Sequence, residues 1–357
     1  MKKKLIALSV AATVLTTPFT AGAVEVAGEQ LELYGKLHLS IDVSDRDDPA
    51  INSDGMSISS NSSRLGFKGK LPLENGMEVI WQAEQEVRWD DSSKGNFADR
   101  NSYLGLANGN HSLRVGVYDT PFKLVASDWG LFGDSVGERR AVLGAGYSSG
   151  NQLNERTKNS VMYLFQNKAL KVQAMYAVDP EDNAGQSGGV DDNSSNMTSV
   201  GAWWKVNQLK LSAAYENWKQ HSKIKDGSAL RVAALYGIGK HQLGVIYEDI
   251  NSDTVNEWKR AAYGANWKWK FADKSDLRAQ YIIVDDAENT TDTGSSKIGL
   301  GIFHKLDKKA AVYAAYGATN NDANAKFQAV DGGHGDEVKT VKGGNPDAFS
   351  LGMVYKF

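Results

Sequence analysis

Apolar and polar positions alternate along most of this chain. In the last nine residues, Phe349, Leu351, Met353, Tyr355 and Phe357 are large and apolar or aromatic, while the positions between them are mostly small or polar. Successive strand side chains point to opposite faces, so this run predicts a strand with one greasy face and one mixed face. An early run does the same, setting Leu33, Leu37, Leu39, Ile41 and Val43 against Tyr34, Lys36, His38, Ser40 and Asp42. Leu65, Phe67 and Leu71 oppose Arg64, Lys68 and Lys70, and Leu277, Ala279, Tyr281 and Ile283 oppose Arg278 and Gln280. About sixteen such runs can be counted.

The connectors alternate too. Glu74-Asn75-Gly76, Asn108-Gly109-Asn110, Asn207-Gln208 and Asp307-Lys308-Lys309 are short and built of turn residues suited to tight hairpins. Asp45–Ser57, Asp179–Asn196, Ala287–Thr293 and Asn320–Asn345 are long and polar. Short and long links taking turns predict an all-β, antiparallel up-and-down sheet with two different ends, the pattern of a transmembrane β-barrel. A soluble sandwich also alternates, but here the polar face carries charge on nearly every strand. Aromatics gather at strand ends (Tyr34, Trp89, Tyr118, Tyr176, Trp204, Trp218, Trp258, Trp269, Tyr355, Phe357), as belts at two bilayer interfaces do. Lipid leaves no water for unpaired backbone groups, so the sheet must close. About sixteen strands make a barrel wide enough for an aqueous channel.

Composition narrows this further. Lys2, Lys3 and Lys4 precede an apolar stretch from Leu5 to Leu15, and Ala21-Gly22-Ala23 fits a small-x-small cleavage site. Residues 1–23 therefore read as a secretory signal peptide and 24–357 as a single barrel domain. No other apolar run reaches the roughly 18–20 residues of a membrane helix, and the mean hydropathy is −0.42. The absence of cysteine excludes disulfides, thiol nucleophiles and zinc–thiolate sites. Without the signal lysines, 37 basic residues face 43 acidic ones, which argues against nucleic acid as a partner and leans weakly toward cations.

One segment breaks the alternation. Residues 127–140 hold Trp129, Leu131 and Phe132, three glycines (130, 133, 137), the acids Asp128, Asp134 and Glu138, and the adjacent Arg139 and Arg140. They lie in the third long connector, about 119–156, and a loop this long is normally functional or disordered. Its bulky residues suit anchoring and its glycines suit sharp turns.

Several motifs resemble the Gram-negative general porins: Leu33-Tyr34-Gly35-Lys36, Ser63-Arg64-Leu65-Gly66-Phe67-Lys68-Gly69, the Asn75-Gly76 turn before Ile80-Trp81-Gln82-Ala83-Glu84, Arg156-x-x-Asn159-Ser160-Val161 with Tyr163, and the terminal Tyr355-Lys356-Phe357. The resemblance spans essentially the whole mature chain. It implies a sixteen-stranded homotrimeric barrel in the Gram-negative outer membrane, in contact with its lipids and lipopolysaccharide. It also implies that the third loop folds into the lumen, and that the barrel-assembly machinery reads Tyr355 and Phe357.

Under that resemblance, Asp128, Asp134 and Glu138 become the acidic side of a pore constriction, with Glu84 on the wall. Lys36, Arg64, Lys68, Arg100 and Arg114 share the polar phase of early strands, and Arg156 enters the sixth. Arg64, Arg100 and Arg156 match the family's basic cluster by local motif. Lys36 and Lys68 also read as an ordinary solvated wall. Arg139 and Arg140 either pair with the loop's own acids or project into the lumen and favour anions. Acids facing arginines make a transverse field that tunes ion preference.

The function expected is passive diffusion of small hydrophilic solutes and ions, with no cofactor and no metal. A substrate-selective channel, for oligosaccharides for example, is the alternative. Tyr34, Trp203 and Trp218 fit an inward phase but form no evident ladder. Gly146-Tyr147-Ser148-Ser149-Gly150 fits a hydrolase motif, yet a nucleophile elbow needs a strand before it and a helix after it, which the pattern does not supply. The six histidines make no metal-spaced pair. The chain does not read as an enzyme.

Overall fold

The computed structural model describes residues 24–25, 30–50, 54–90, 97–180 and 195–357. The expected signal peptide, residues 1–23, and parts of the connectors at 51–53, 91–96 and 181–194 lie outside them. The wall consists of β1 (Glu32–Asp45), β2 in two pieces (Asp54–Ser60 and Arg64–Pro72), β3 (Glu78–Glu86), β4 (Ser102–Asn108), β5 (His111–Asp119), β6 (Arg156–Gln166), β7 (Leu170–Val178) and β8 (Asn196–Val206). It continues through β9 (Leu209–His221), β10 (Lys225–Ile238), β11 (His241–Ser252), β12 (Lys259–Trp269), β13 (Ser275–Val284), β14 (Ser295–Lys305), β15 (Ala310–Asn321) and β16 (Asp347–Lys356). Every neighbour is antiparallel, and β16 pairs back onto β1 from Lys36↔Lys356 to Asp45↔Asp347. The sheet is a closed sixteen-stranded barrel.

The tight turns form where the sequence places them. Gly76, Gly109 and Gly239 take φ of 78°, 56° and 56°, and Asn207 takes 51°, the left-handed conformations that short hairpins demand. At the seam, the Phe357 and Gly35 backbones exchange two hydrogen bonds of 3.1 Å. The Phe357 ring lies over Gly35, where a Cβ would sit 2.3 Å from it, so the terminal aromatic requires that glycine.

Outward residues such as Ile41, Leu104, Val115, Leu243, Leu351 and Met353 are exposed, which only an apolar solvent tolerates on this scale. The aromatic belt is smaller than the sequence reading had it. Tyr176, Trp204 and Tyr355 face outward, but Trp218 and Trp258 are buried inside and the Tyr34 hydroxyl bonds to Glu84 within the lumen.

The inner face departs from expectation more sharply. It is charged on β1–β3 and β5, but from β6 to β13 it carries Met162, Met175, Met197, Ala214, Ala229, Ala233, Ile246, Ile250, Ala262 and Ile282, all buried. What buries them is the third connector, L3, which runs from Thr120 to Glu155 inside the barrel. It opens with α1 (Pro121–Trp129), a helix the strand periodicity did not predict. Thr120 caps it by accepting from the Lys123 amide, and Pro121 occupies the first turn. Phe122, Val125, Ala126 and Trp129 recur at helical spacing and pack on that apolar wall.

Candidate functional site

L3 is fixed at both ends of its inserted stretch. Trp129 is fully buried, and its carbonyl accepts from Asn266 Nδ2 at 2.6 Å. Phe132 and Val136 are buried against Tyr313, Ala315 and Ala348. Gly317 on β15 makes this possible, because a Cβ there would meet the Val136 carbonyl oxygen at 2.0 Å. The left-handed turn falls on Asp134 (φ 60°) rather than on Gly130, Gly133 or Gly137.

Behind L3 lies a buried ionic cluster that the sequence reading missed. Arg231 pairs with Glu248 and also donates to the Phe122 carbonyl (2.9 Å) and to Asn154 Oδ1 (3.0 Å). Arg260 stands 3.7 Å from Glu248 and donates to the carbonyls of Val142 and Ala145, while Glu248 accepts from the Gly144 amide at 2.8 Å. Isolated charges in apolar inward stripes, Arg231 between Ala229 and Ala233 and Glu248 between Ile246 and Ile250, were the available signal.

At the front of L3, Asp134 bridges Lys36 (2.7 Å) and Arg140 (2.8 Å), while Glu138 pairs with Arg139 (2.7 Å) and Arg140 (3.2 Å). Glu138 also caps the short helical turn Arg139–Ala141 and accepts from the Asp134 amide. Burial works against ionising Asp134, yet Lys36 and Arg140 hold its pKa well below the usual carboxylate range. Glu138 is likewise lowered, by Arg140 and Arg139 against burial. Burial pulls Arg139 down to about 10, whereas Glu138 and Asp134 outweigh burial at Arg140 and raise it. All four groups are therefore charged at neutral pH.

The wall groups pair mostly among themselves. Glu84 accepts from Arg100 at 2.8 Å and stands 3.6 Å from Arg64; Arg100 also reaches Glu86 at 2.8 Å. Arg156 donates to Asn101 at 2.9 Å and lies 3.4 Å from Asp119, which also holds Lys123 at 2.7 Å. Burial lowers Lys123 to about 8 despite that partner. Three of the sequence candidates sit elsewhere. Arg114 packs on the edge-to-face pair Tyr103 and Tyr118. Lys68 pairs with Glu32 at 3.1 Å. Asp128 is exposed at the end of α1, beside Trp129 and Lys171 and away from the arginines.

A second loop enters the lumen, and the sequence reading placed it outside as an ordinary connector. The last long loop, L8 (322–346), buries Phe327, Ala329 and Val330. Its carbonyls are held from the wall by Lys297 at Ala329, Thr319 at Gln328 (2.8 Å) and Asn321 at Phe327 (2.9 Å). Its tip reaches the break in β2: Ser62 donates to the Gly333 carbonyl (3.0 Å), and Asn61 accepts from the Gly335 amide (2.9 Å). His334 Nε2 lies 3.2 Å from Asp42, and Ser59 donates to Asp336 at 3.0 Å.

Between L3, L8 and β2–β6 remains a cavity of about 780 Å³ lined by nine basic and seven acidic side chains, Arg64, Arg100, Arg140, Arg156, Asp134 and Glu138 among them. Elsewhere in L3, the Ser148 hydroxyl donates to the Glu257 carboxylate at 3.0 Å. No cluster of three His, Cys, Asp or Glu suited to a metal occurs among the described residues.

The family model for Gram-negative porin matches residues 9–324. Outer membrane porin protein 32 of Delftia acidovorans is 23% identical over 88% of both chains. Major outer membrane protein P.IB of Neisseria sicca is 34% identical, and there the chain spans only about a third of the relative's length (33%). Among solved structures, an anion-selective porin from Comamonas acidovorans superposes with a TM-score of 0.75 at 19% identity, covering 92% of this chain and 99% of that one.

Proposed function

The chain belongs to the Gram-negative porin family and its barrel resides in the outer membrane, and from that premise we propose that it is a passive diffusion channel whose waist, set by L3, prefers small anions. The observation that carries this reading is the charge lining of the waist. Nine cationic groups against seven acids leave the narrow region positive, although the chain as a whole is acidic. Permeating ions respond to the charges lining the constriction, because those on distant loops are screened within about 8–10 Å.

In this reading Arg64, Arg100, Arg140 and Arg156 supply the positive side, Asp134 and Glu138 orient it, and Lys36 and Glu84 hold Asp134 and Arg100 in place from behind. Arg139 is a structural partner of Glu138, and Arg114, Lys68 and Asp128 contribute little. Assembly as a homotrimer, contact with lipopolysaccharide and reading of Tyr355 and Phe357 by the assembly machinery belong to the same proposal.

A reversal potential across a potassium chloride gradient tests it. Chloride preference is expected, and Arg140→Ala shifts the potential toward potassium. A wild-type potential favouring potassium overturns the anion reading, and an unchanged potential in Arg140→Ala removes that residue from it.

A further inference from the structure

A second, separate cavity of about 300 Å³ lies beneath L3, between its Leu131–Ser135 segment and the short turn joining β14 to β15. Six cationic side chains line it (Lys36, Arg278, Lys305, Lys308, Lys309 and Lys356) with one acid, Asp307. Lys36 and Arg278 have carboxylate partners, at Asp134 and Asp276. The other four lysines have no ion pair among the described residues; Lys305, Lys308 and Lys356 are exposed and Lys309 is half-buried.

The same cavity has a flat aromatic shelf. Phe303 and Tyr313 stack at 5.1 Å with 22° between their planes. The Arg278 guanidinium lies over Phe303 at 3.5 Å and is held there by Asp276 (2.5 Å) and the Leu131 carbonyl (2.8 Å). Tyr313 and Arg278 thus take the two faces of Phe303, and Phe132 meets it edge to face at 6.0 Å, so the Arg278 plane is rigidly backed. His38 lines this cavity at 2% exposure; its Nε2 meets the Tyr313 hydroxyl at 2.8 Å, and Nδ1 has no partner. Convergent cations, a fixed planar surface and an unpaired buried nitrogen in a concave site of this size are the features of a ligand pocket, whose usual range is roughly 300–1,000 Å³.

We infer that this vestibule is a binding site for small aromatic carboxylates: the ring stacks on the cavity-facing plane of the Arg278 guanidinium, which Phe303 backs, and the carboxylate faces the lysines of the β14–β15 turn. A halide lacks the ring and an uncharged sugar lacks the charge, so neither uses both halves of the site. The site goes beyond the charge preference of the waist, because its lysines and rings lie on the other side of L3.

Benzoate, with acetate as the ring-free control, tests it on the full chain reconstituted in planar bilayers. Benzoate added to the short-turn side is expected to reduce chloride current saturably at millimolar concentration, and acetate is expected not to. Phe303→Leu weakens the block about fivefold, the size of one lost ring stack. Lys308→Gln, exposed on the turn where folding is not at stake, weakens it about threefold. Equal effects of benzoate and acetate, or a block untouched in both variants, overturn the site. A chloride-preferring channel without benzoate block sinks the vestibule alone and leaves the waist reading intact.

Discussion

L3 and L8 both fold into the barrel, yet they are held by different physics. L3 is a built element: a capped helix, a face of Phe122, Val125, Ala126 and Trp129 on an apolar wall, and the buried Arg231–Glu248–Arg260 cluster behind it. Among the described residues L8 has no helix and no buried ionic cluster behind it; it tucks in Ala325, Phe327, Ala329, Val330 and Val338, and Lys297, Thr319, Asn321, Asn61 and Ser62 hold its backbone. L3 is accordingly expected to be part of the folded barrel's stability, and L8 an accessory that narrows the entrance.

Breaking the ionic cluster should expose the contrast most strongly. Arg231→Leu leaves Glu248 buried with only the more distant Arg260 and one amide, and removing one partner of a buried pair costs about 3–5 kcal/mol. A large fall in the temperature at which the barrel unfolds in detergent is expected, together with larger and noisier single-channel currents. A variant with wild-type melting and conductance would show that L3 is held by its apolar face alone.

A subtler lesion tests the close approach of L3 to the opposite wall. Gly317→Ala places a methyl where the Val136 carbonyl oxygen now lies, so L3 must shift; overpacking of this kind costs about 1–3 kcal/mol. Conductance should change while the barrel still assembles. Unaltered conductance would mean that L3 adjusts without moving the waist.

How much of this contrast could be read from the chain depends on which face stays exposed. The outer wall was legible because lipid enforces a strict period of two, as in Phe349–Phe357. L3 was legible as an insertion because bulky residues interrupt that period. Its helix is hidden although Thr120-Pro121 and Gly130 bracket apolar residues at 122, 125, 126 and 129, because the surrounding period of two gives way to 3.6 for only nine residues. The inner wall of β10 was opaque for a related reason. Leu230 and Val232 face lipid while Ala229, Ala233 and Leu235 face L3, so both phases are apolar. L8 gave no warning, because its polar, glycine-rich sequence is what a solvent-exposed loop also has. The charge pairings were the least legible part, since Asp134 meets Lys36 across 98 positions of sequence.

Excising L8 sharpens the comparison from the other side. Replacing 323–344 with a short Gly-Ser link removes the buried apolar side chains together with polar docking whose partners can hydrate, so unfolding should shift by less than the roughly 3–5 kcal/mol expected of Arg231→Leu. Conductance should rise clearly, because Gly332–Glu337 and Lys339 line the upper wall of the large cavity. A barrel that loses as much stability as Arg231→Leu would refute the division between a structural loop and an accessory one.

The smallest effect concerns acid and base. Asp331 in L8 is raised to about 6, by burial first and by Glu337 second, with Arg140 pulling the other way. Its Oδ2 accepts from the Asn151 amide at 3.3 Å, which joins L8 to L3. A raised carboxyl binds its proton more tightly in the docked loop than in a solvated one, so docking is strongest below the free value of 3.8 and weakens as pH rises through about 6. Conductance should therefore increase modestly between pH 4 and 7, and Asp331→Asn, which keeps the shape without the charge, should flatten that rise. Asp134 and Glu138 are shifted the opposite way, downward, by Lys36, Arg139 and Arg140, so neither supplies a change near pH 6. A pH response that survived Asp331→Asn would move the switch from L8 to another group in the lumen.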